Sequence, residues 1–234
     1  MIIPSERKIY ASSFLYFINL LLVPVKMLVP QPLIRIIPGL TSNEDLRLGL
    51  ARQAVIGRLL DIGCGSNRLV REYRADGFSG EGVDVHPWPG VDRVVDDSGS
   101  LPYEDGDFDS VVLIACINHI PNRSAVLAEV YRLLTPDGRL ILTFLTPLIS
   151  RIWHAWAFWD SDQNERGMKE GEVWGFTLAE LTDLLGAAGF TVIRRVSFTW
   201  GLNRLWICQK AFSADWQPVY QRAAILSERY RGLE

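Results

Sequence analysis

The stretch that most constrains the fold is Asp-Ile-Gly-Cys-Gly at residues 61–65, which follows the apolar pair Leu59-Leu60. A helix-like segment comes directly after it, so the order is strand, glycine turn and helix. A ligand can approach the backbone of such a turn because glycine has no side chain, which is typical of a nucleotide site. A dinucleotide fingerprint has a third glycine at position 68, where this chain has Arg68. Together with the lack of a Tyr-x-x-x-Lys pair, this disfavours an NAD-dependent reductase.

Acidic residues follow the next two apolar runs of the chain. The second run ends at Asp84, nineteen residues after Gly65, where a carboxylate can accept hydrogen bonds from both hydroxyls of a ribose. The third run, Val94-Val95, is followed by Asp96, Asp97 and Ser98. A fourth run leads to Ile-Asn-His-Ile-Pro at residues 117–121.

This succession resembles the class I S-adenosylmethionine-dependent methyltransferases, in particular the small-molecule "type 11" group, over roughly residues 45–210. In that family the first loop holds the methionine part of the cofactor, which here falls on Gly63 and Gly65. The resemblance also implies that Asp84 holds the ribose and Asp97 the adenine amino group, with the backbone N–H of Ser98 on the adenine ring. The residues expected to bind S-adenosylmethionine are Asp61, Gly63, Gly65, Asp84, Val85, Asp97 and Ser98. The alternative is a Rossmann-like domain that has lost its ligand.

Strand-like and helix-like segments alternate along the chain, which predicts an α/β fold with right-handed crossovers. We expect a Rossmann-like, mainly parallel seven-stranded sheet with helices on both faces and an antiparallel last strand. The expected strands are 58–61, 80–84, 92–95, 109–115, 138–145, 190–198 and 202–209. The expected helices are 43–53, 66–75, 122–134 and 177–188. The expected domains are an apolar N-terminal segment 1–40, a methyltransferase domain 41–212 with an aromatic insertion 146–176, and a C-terminal helix 213–234.

The N-terminal segment contains an uncharged run over residues 9–25 that Pro24 and Lys26 are expected to end. Phe14, Phe17, Ile18 and Leu21 share one helical face, but the other sides are also largely apolar, which is typical of a buried or lipid-embedded helix. The run is shorter than the roughly twenty residues that span a bilayer. Four interpretations stay open: an interfacial membrane anchor, a cover packed on the domain, a true span and a signal peptide.

Charge excludes one class of partner and permits another. Residues 59–203 hold twelve basic and twenty-one acidic residues, and this excess argues against a nucleic-acid groove. Residues 1–58 hold seven basic and three acidic residues, which suits contact with an anionic membrane surface. Three cysteines without CxxC spacing predict neither disulfides nor a metal site, but buried thiols in a reducing cytosol. We therefore expect a cytoplasmic protein, peripheral to the inner membrane face.

The acceptor site is expected around His119 and the aromatic insertion. His119 follows the fourth strand and is the candidate general base; the alternative is a histidine bonded to backbone beside the cofactor. The tryptophans at 153, 156 and 159 are read either as a satellite core or as a wall for a large apolar acceptor. The insertion's acidic residues are expected in a solvated loop; they are Asp160, Asp162, Glu165, Glu170 and Glu172.

These observations favour methyl transfer from S-adenosylmethionine to a small, hydrophobic or lipid-linked acceptor. Such transfer depends mostly on positioning and on exclusion of water, because the sulfonium leaving group is already good. The alternative from another class is a non-catalytic methyltransferase-like subunit that binds a partner or membrane through its N-terminus. The sequence leaves open the acceptor, the atom methylated and the oligomeric state.

Overall fold

The computed structural model describes residues 4–156 and 170–211. Within them the strands are β1 Leu59–Ile62, β2 Gly80–Asp84, β3 Arg93–Val94, β4 Phe108–Ile114, β5 Leu134–Leu145, β6 Phe190–Phe198 and β7 Asn203–Lys210. They form one sheet in the order β3-β2-β1-β4-β5-β7-β6. β1 pairs in parallel with β2 and β4, whereas β7 pairs antiparallel with both β5 and β6. This is the predicted mainly parallel sheet with an antiparallel last strand.

Helices lie on both faces of the sheet. They are α1 Ser13–Leu21, α2 Val23–Leu28, α3 Gln31–Arg35, α4 Asn43–Ala54, α5 Arg68–Ala75, α6 Arg123–Leu133, α7 Pro147–Trp156 and α8 Leu178–Ala187. Apolar side chains of α4 and α5 form one core cluster with β1 and β7, and those of α6 and α8 form a second with β4 and β5. β1 and most of β4 are buried on both faces, so their sequences are largely apolar.

Local signals set the predicted ends of two helices. The Ser42 side chain accepts a hydrogen bond from the Asp45 N–H at 3.0 Å and caps α4. Thr177 and Glu180 form a reciprocal capping box at the start of α8. These caps satisfy backbone donors that the first helical turn leaves without partners. Both helices therefore begin where the sequence indicates.

Two predicted boundaries were wrong. β5 begins at Leu134 rather than at residue 138, and Leu134 pairs with Phe108 before the register shifts at Ser110. That irregularity accommodates Pro136 within the strand, since proline cannot donate to a regular ladder. Pro24 does not end a helix either, because α1 ends at Leu21 and Pro24 lies in the first turn of α2. Proline fits there because first-turn N–H groups have no intrahelical acceptor.

The inner side of the N-terminal segment packs on the domain. The Ser5 N–H donates to Gln53 of α4 at 3.0 Å, and the Thr199 N–H donates to Glu6 at 2.7 Å. Lys26, expected to end the uncharged run, is buried: its ammonium donates to Asn19 Oδ1 at 3.2 Å and to the Thr41 carbonyl at 3.1 Å. Across the described residues, no helix combines the length and the apolar character needed to cross a membrane.

Candidate active site

The turn after β1 brings backbone rather than side chains to the carboxyl edge of the sheet. Gly63 has a φ of +72° and Gly65 a φ of +52°, both in the left-handed region that favours glycine. A Cβ on Gly63 would lie 2.8 Å from Cβ of Cys116, so a larger residue does not fit. A Cβ on Gly65 would have no atom within 4 Å. The open space beside Gly65 is therefore available to a ligand.

Asp84 ends β2 and holds this turn in place. Its Oδ2 accepts a hydrogen bond from the Gly65 N–H at 3.0 Å, and its Oδ1 accepts one from the His86 N–H at 2.9 Å. Each carboxylate oxygen has a second lone pair that can accept a further donor. Asp84 also lines the cleft.

Asp61 lies in β1 beneath the turn and is not part of the cleft lining. Its Oδ1 is buried and has no hydrogen-bond partner in the structure. Burial, and then the neighbouring Asp84 carboxylate, raise the pKa of Asp61 to about 8. A buried carboxyl oxygen without a donor is costly unless a ligand supplies one. Asp61 thus offers an acceptor for a donor or a positive charge.

The loop after β3 contributes the second acidic position of the predicted site. Asp97 Oδ1 accepts hydrogen bonds from the Gly99 N–H and from Asn122 Nδ2, both at 2.8 Å. Ser98 is buried beside it, and both residues line the same cleft as Val85. The bond to Asn122, in the loop before α6, fixes the carboxylate against the far wall of the cleft.

The end of β4 carries His119 into the cleft. Ala115 follows the strand with a φ of +54°, and its N–H donates to Thr143 Oγ1 at 2.9 Å. The 3₁₀ turn Ile117–His119 comes next. His119 Nδ1 lies 3.3 Å from Glu172 Oε2. Alanine rarely adopts the left-handed region, and residues held in such conformations are found most often at functional sites.

Glu172 corrects the expectation of a solvated acidic loop. Its side chain is only 7% exposed and lines the cleft. The adjoining backbone is fastened by two contacts, since the Val173 N–H donates to the Asn118 carbonyl at 3.0 Å and Arg123 donates to the Gly171 carbonyl at 2.8 Å. The returning end of the insertion therefore closes over the cleft and presents a carboxylate to His119.

The cleft encloses about 660 Å³, within the range of sites that hold a cofactor or drug-sized ligand. It brings together every predicted site residue except Asp61. Among the lining residues that sequence reasoning missed are Glu44, Trp88, Asn122 and Glu172. Of these, only Asn122 stood next to a predicted motif; the others come from separate segments without a motif of their own.

The described residues of this cleft favour neither a cysteine nucleophile nor a bound metal ion. Burial, with the added fields of Asp61 and Asp84, raises the pKa of both the Cys64 and Cys116 thiols, so neither forms a reactive thiolate readily. Among residues 4–156 and 170–211, no group of three or more His, Cys, Asp or Glu side chains could hold a metal ion. The tryptophan side chains at 153, 156 and 159 and residues 213–234, where a C-terminal helix is predicted, lie outside what the structure describes.

A cleft at the carboxyl ends of parallel strands, with a glycine turn and an acid after β2, defines a Rossmann-like protein that binds a nucleotide-type cofactor. The methyltransferase domain family matches residues 40–195. The chain therefore belongs to the class I S-adenosylmethionine-dependent methyltransferases, enzymes that use S-adenosylmethionine as their cofactor. The site fits this group, because Gly65 leaves space for it and Asp61 Oδ1 lacks a donor.

Two curated proteins illustrate the similarity. The chain is 29% identical over 183 residues to a ubiquinone/menaquinone biosynthesis C-methyltransferase of Desulfotalea psychrophila, covering 70% of this chain and 71% of that protein. It is 34% identical over 103 residues to a phthiotriol/phenolphthiotriol dimycocerosates methyltransferase of Mycobacterium ulcerans, covering 38% of each. The matched part is thus well under half the length of that second relative.

Solved structures share the fold. The PH0226 protein of Pyrococcus horikoshii aligns with a TM-score of 0.53 at 24% identity, covering 78% of this chain and 100% of that one. A Burkholderia thailandensis 1,6-didemethyltoxoflavin-N1-methyltransferase, solved with bound S-adenosylhomocysteine, aligns with a TM-score of 0.52 at 20% identity, covering 71% and 79%.

Proposed function

We propose that this protein transfers a methyl group from S-adenosylmethionine to a small, hydrophobic or lipid-linked acceptor. The observation that carries the proposal is that one cleft holds both a set of cofactor-type acceptors and a histidine–carboxylate pair. A non-catalytic subunit that binds a partner through its N-terminus would not need the histidine–carboxylate pair. The enzyme interpretation is therefore preferred over the subunit interpretation.

The cofactor half of the cleft consists of Gly63, Gly65, Asp84, Val85, Asp97 and Ser98, with Asp61 buried beneath the turn. Asp61, Gly63 and Gly65 would hold the methionine part, with Asp61 accepting from its ammonium group. Asp84 would accept from the ribose hydroxyls and Asp97 from the adenine amino group. When bound, S-adenosylmethionine supplies an electrophilic methyl group with a neutral thioether as leaving group. The protein's task is then to position the acceptor and to exclude water.

The acceptor half consists of His119, Ile120, Pro121 and Glu172, which line the cleft together with Ile114. His119 would remove a proton from an acidic carbon or hydroxyl of the acceptor. With Nδ1 at Glu172, the ring orientation is set and the positive charge that forms on the imidazole is stabilised. Glu172 would thus position His119 without touching the acceptor.

Two lines support a hydrophobic acceptor. Ile114, Ile120, Pro121 and Trp88 give the cleft an apolar wall. The names of the two curated relatives specify a ubiquinone/menaquinone pathway and a dimycocerosate, both of which involve hydrophobic molecules. The tryptophans of the insertion would extend this wall. An acceptor of this kind resides in membranes, so we place the enzyme in the cytoplasm, peripheral to the inner face of the membrane.

The direct experiment incubates the purified chain with methyl-labelled S-adenosylmethionine and a lipid extract. The proposal expects label in an organic-phase product, and expects that water-soluble metabolites, proteins and nucleic acids stay unlabelled. Label confined to the aqueous pool would overturn the lipid-linked acceptor. Label in no fraction, despite cofactor binding, would favour the non-catalytic subunit.

A further inference from the structure

Helix α1 buries a polar side chain and exposes apolar ones, which is the reverse of an ordinary surface helix. Its polar residue Asn19 is 1% exposed, accepts a hydrogen bond from the Thr41 N–H at 2.8 Å and donates to the Gly39 carbonyl at 2.7 Å. Its apolar residues Phe14 and Phe17 are 71% and 64% exposed. A helix in contact with water places its polar side outward. The inverted arrangement therefore requires an apolar environment outside α1.

Exposed apolar side chains also occur in α2, in α3 and directly after α3. Seven large apolar side chains of this segment are 46% to 74% exposed, and we call them the outer apolar face. They are Phe14, Phe17, Leu21, Val25, Leu33, Ile36 and Ile37. Exposed apolar sets of this kind mark sites of membrane or protein contact. The contacts of Ser5, Glu6 and Lys26 fix the opposite side of the segment on the domain, so the outer apolar face is held in place.

Charge decides between lipid and protein as the occupant. No Asp or Glu occurs between Glu6 and Glu44, and the exposed Arg7 and Lys8 stand just before α1, with Arg7 donating to Ser13 Oγ at 3.0 Å. An anionic bilayer attracts these cations, whereas a second copy of the same face would bring like charges together.

The outer apolar face ends beside the cleft. Arg35, the last residue of α3, forms an ion pair with Glu44 at 2.7 Å, and Glu44 lines the cleft. The next two residues, Ile36 and Ile37, belong to the outer apolar face. A surface that binds there would lie next to the mouth of the cleft.

We propose that the outer apolar face docks on an anionic lipid bilayer and brings the mouth of the cleft to the membrane surface. Phe14, Phe17 and Leu21 insert among the acyl chains, while Arg7 and Lys8 contact headgroup phosphates. A lipid-linked acceptor could then enter the cleft without crossing water. This last step rests on the proposed function, whereas docking itself does not.

Vesicle flotation tests the docking with the full chain. We expect the chain to float with vesicles of phosphatidylglycerol and phosphatidylcholine, and less with phosphatidylcholine alone. The triple variant Phe14→Ser, Phe17→Ser, Leu21→Ser should lower the partition coefficient at least about tenfold, because it removes most of the inserted apolar area of α1. Phe78→Ser is the matched control, since Phe78 is also an exposed aromatic (55%) but follows α5 away from this face.

A charge variant separates the two components of docking. Arg7→Glu with Lys8→Glu should reduce flotation with anionic vesicles and leave the weaker binding to phosphatidylcholine unchanged. Calorimetry with S-adenosylhomocysteine should give the same affinity for all variants, which shows that they are folded. A loss of cofactor binding by the wild-type chain with flotation intact would count against the proposed function alone.

Three results would overturn the docking proposal. The first is equal flotation of the triple variant and the wild-type chain. The second is a wild-type chain that binds cofactor but no vesicle. The third is a wild-type dimer in light scattering that the triple variant converts to a monomer, which would assign the outer apolar face to a second copy.

Discussion

The cofactor half of the cleft is built from groups at neighbouring strand ends, whereas the acceptor half depends on a contact between segments 53 residues apart. In the first, Asp84 accepts from the Gly65 N–H across two adjacent parallel strands. In the second, Glu172 reaches His119 only because the insertion returns over the cleft. The residues proposed to bind the cofactor, which every member of the family needs, thus lie at the sheet edge. The residue proposed to act on the acceptor side, Glu172, lies on a loop.

The largest expected effect separates chemistry from binding in the acceptor half. His119→Ala should lower turnover by about 10²-fold or more, because a positioned general base is lost, while cofactor affinity stays unchanged. Steady-state kinetics and calorimetry measure the two quantities separately. A mild loss of turnover would mean that the acceptor needs no deprotonation, and the histidine would then be only a structural neighbour of the cofactor.

A substitution in the cofactor half should instead lower the affinity for the cofactor. Asp84→Ala should lower affinity for S-adenosylhomocysteine about ten- to a hundredfold, because a charged acceptor for two hydroxyls is removed. Asp183→Ala, which removes an exposed acid on α8, is the control and should change nothing. Equal affinities of the wild-type and Asp84→Ala proteins in calorimetry would contradict the assignment of Asp84 to the ribose.

The different origins of the two halves explain what the sequence could predict. Glycine turns and acids after apolar runs are local signals, so the mainly parallel sheet and the positions of Gly65, Asp84 and Asp97 at its cleft could be predicted. The environment of Glu172 could not, because its burial depends on how a loop folds back. The burial of Lys26 could not be predicted either, since its partners Asn19 and Thr41 reach it only through tertiary packing.

A smaller effect tests whether Glu172 positions His119. Glu172→Gln keeps the shape but removes the charge that stabilises a protonated imidazole, so turnover should fall about tenfold with the acceptor KM unchanged. Glu170→Gln is the matched control, because Glu170 is an exposed acid of the same loop. If both variants behave alike, or if only KM rises, Glu172 belongs to acceptor binding or to folding.

The smallest effect concerns Asp61 in the cofactor-free protein. Its pKa is raised from 3.8 to about 8 by burial and by Asp84, so the folded state holds a proton that the unfolded chain releases, and stability falls as pH rises between these two values. Between pH 7 and 8 the wild-type chain should lose about 1 kcal/mol more stability than Asp61→Asn. Urea midpoints at the two pH values measure this difference. Identical pH dependence of both chains would show that Asp61 is already ionised.

The central claim is that S-adenosylmethionine binds against the backbone at Gly65, and a pair of glycines tests it most directly. Gly65 and Gly77 both have positive φ and no atom within 4 Å of the position that a Cβ would occupy, but only Gly65 lines the cleft. Alanine at either position should cost about 1 kcal/mol of stability. In calorimetry with S-adenosylhomocysteine, Gly65→Ala should lose at least about tenfold in affinity while Gly77→Ala matches the wild-type chain. Equal affinity of the two variants would contradict the placement of the cofactor.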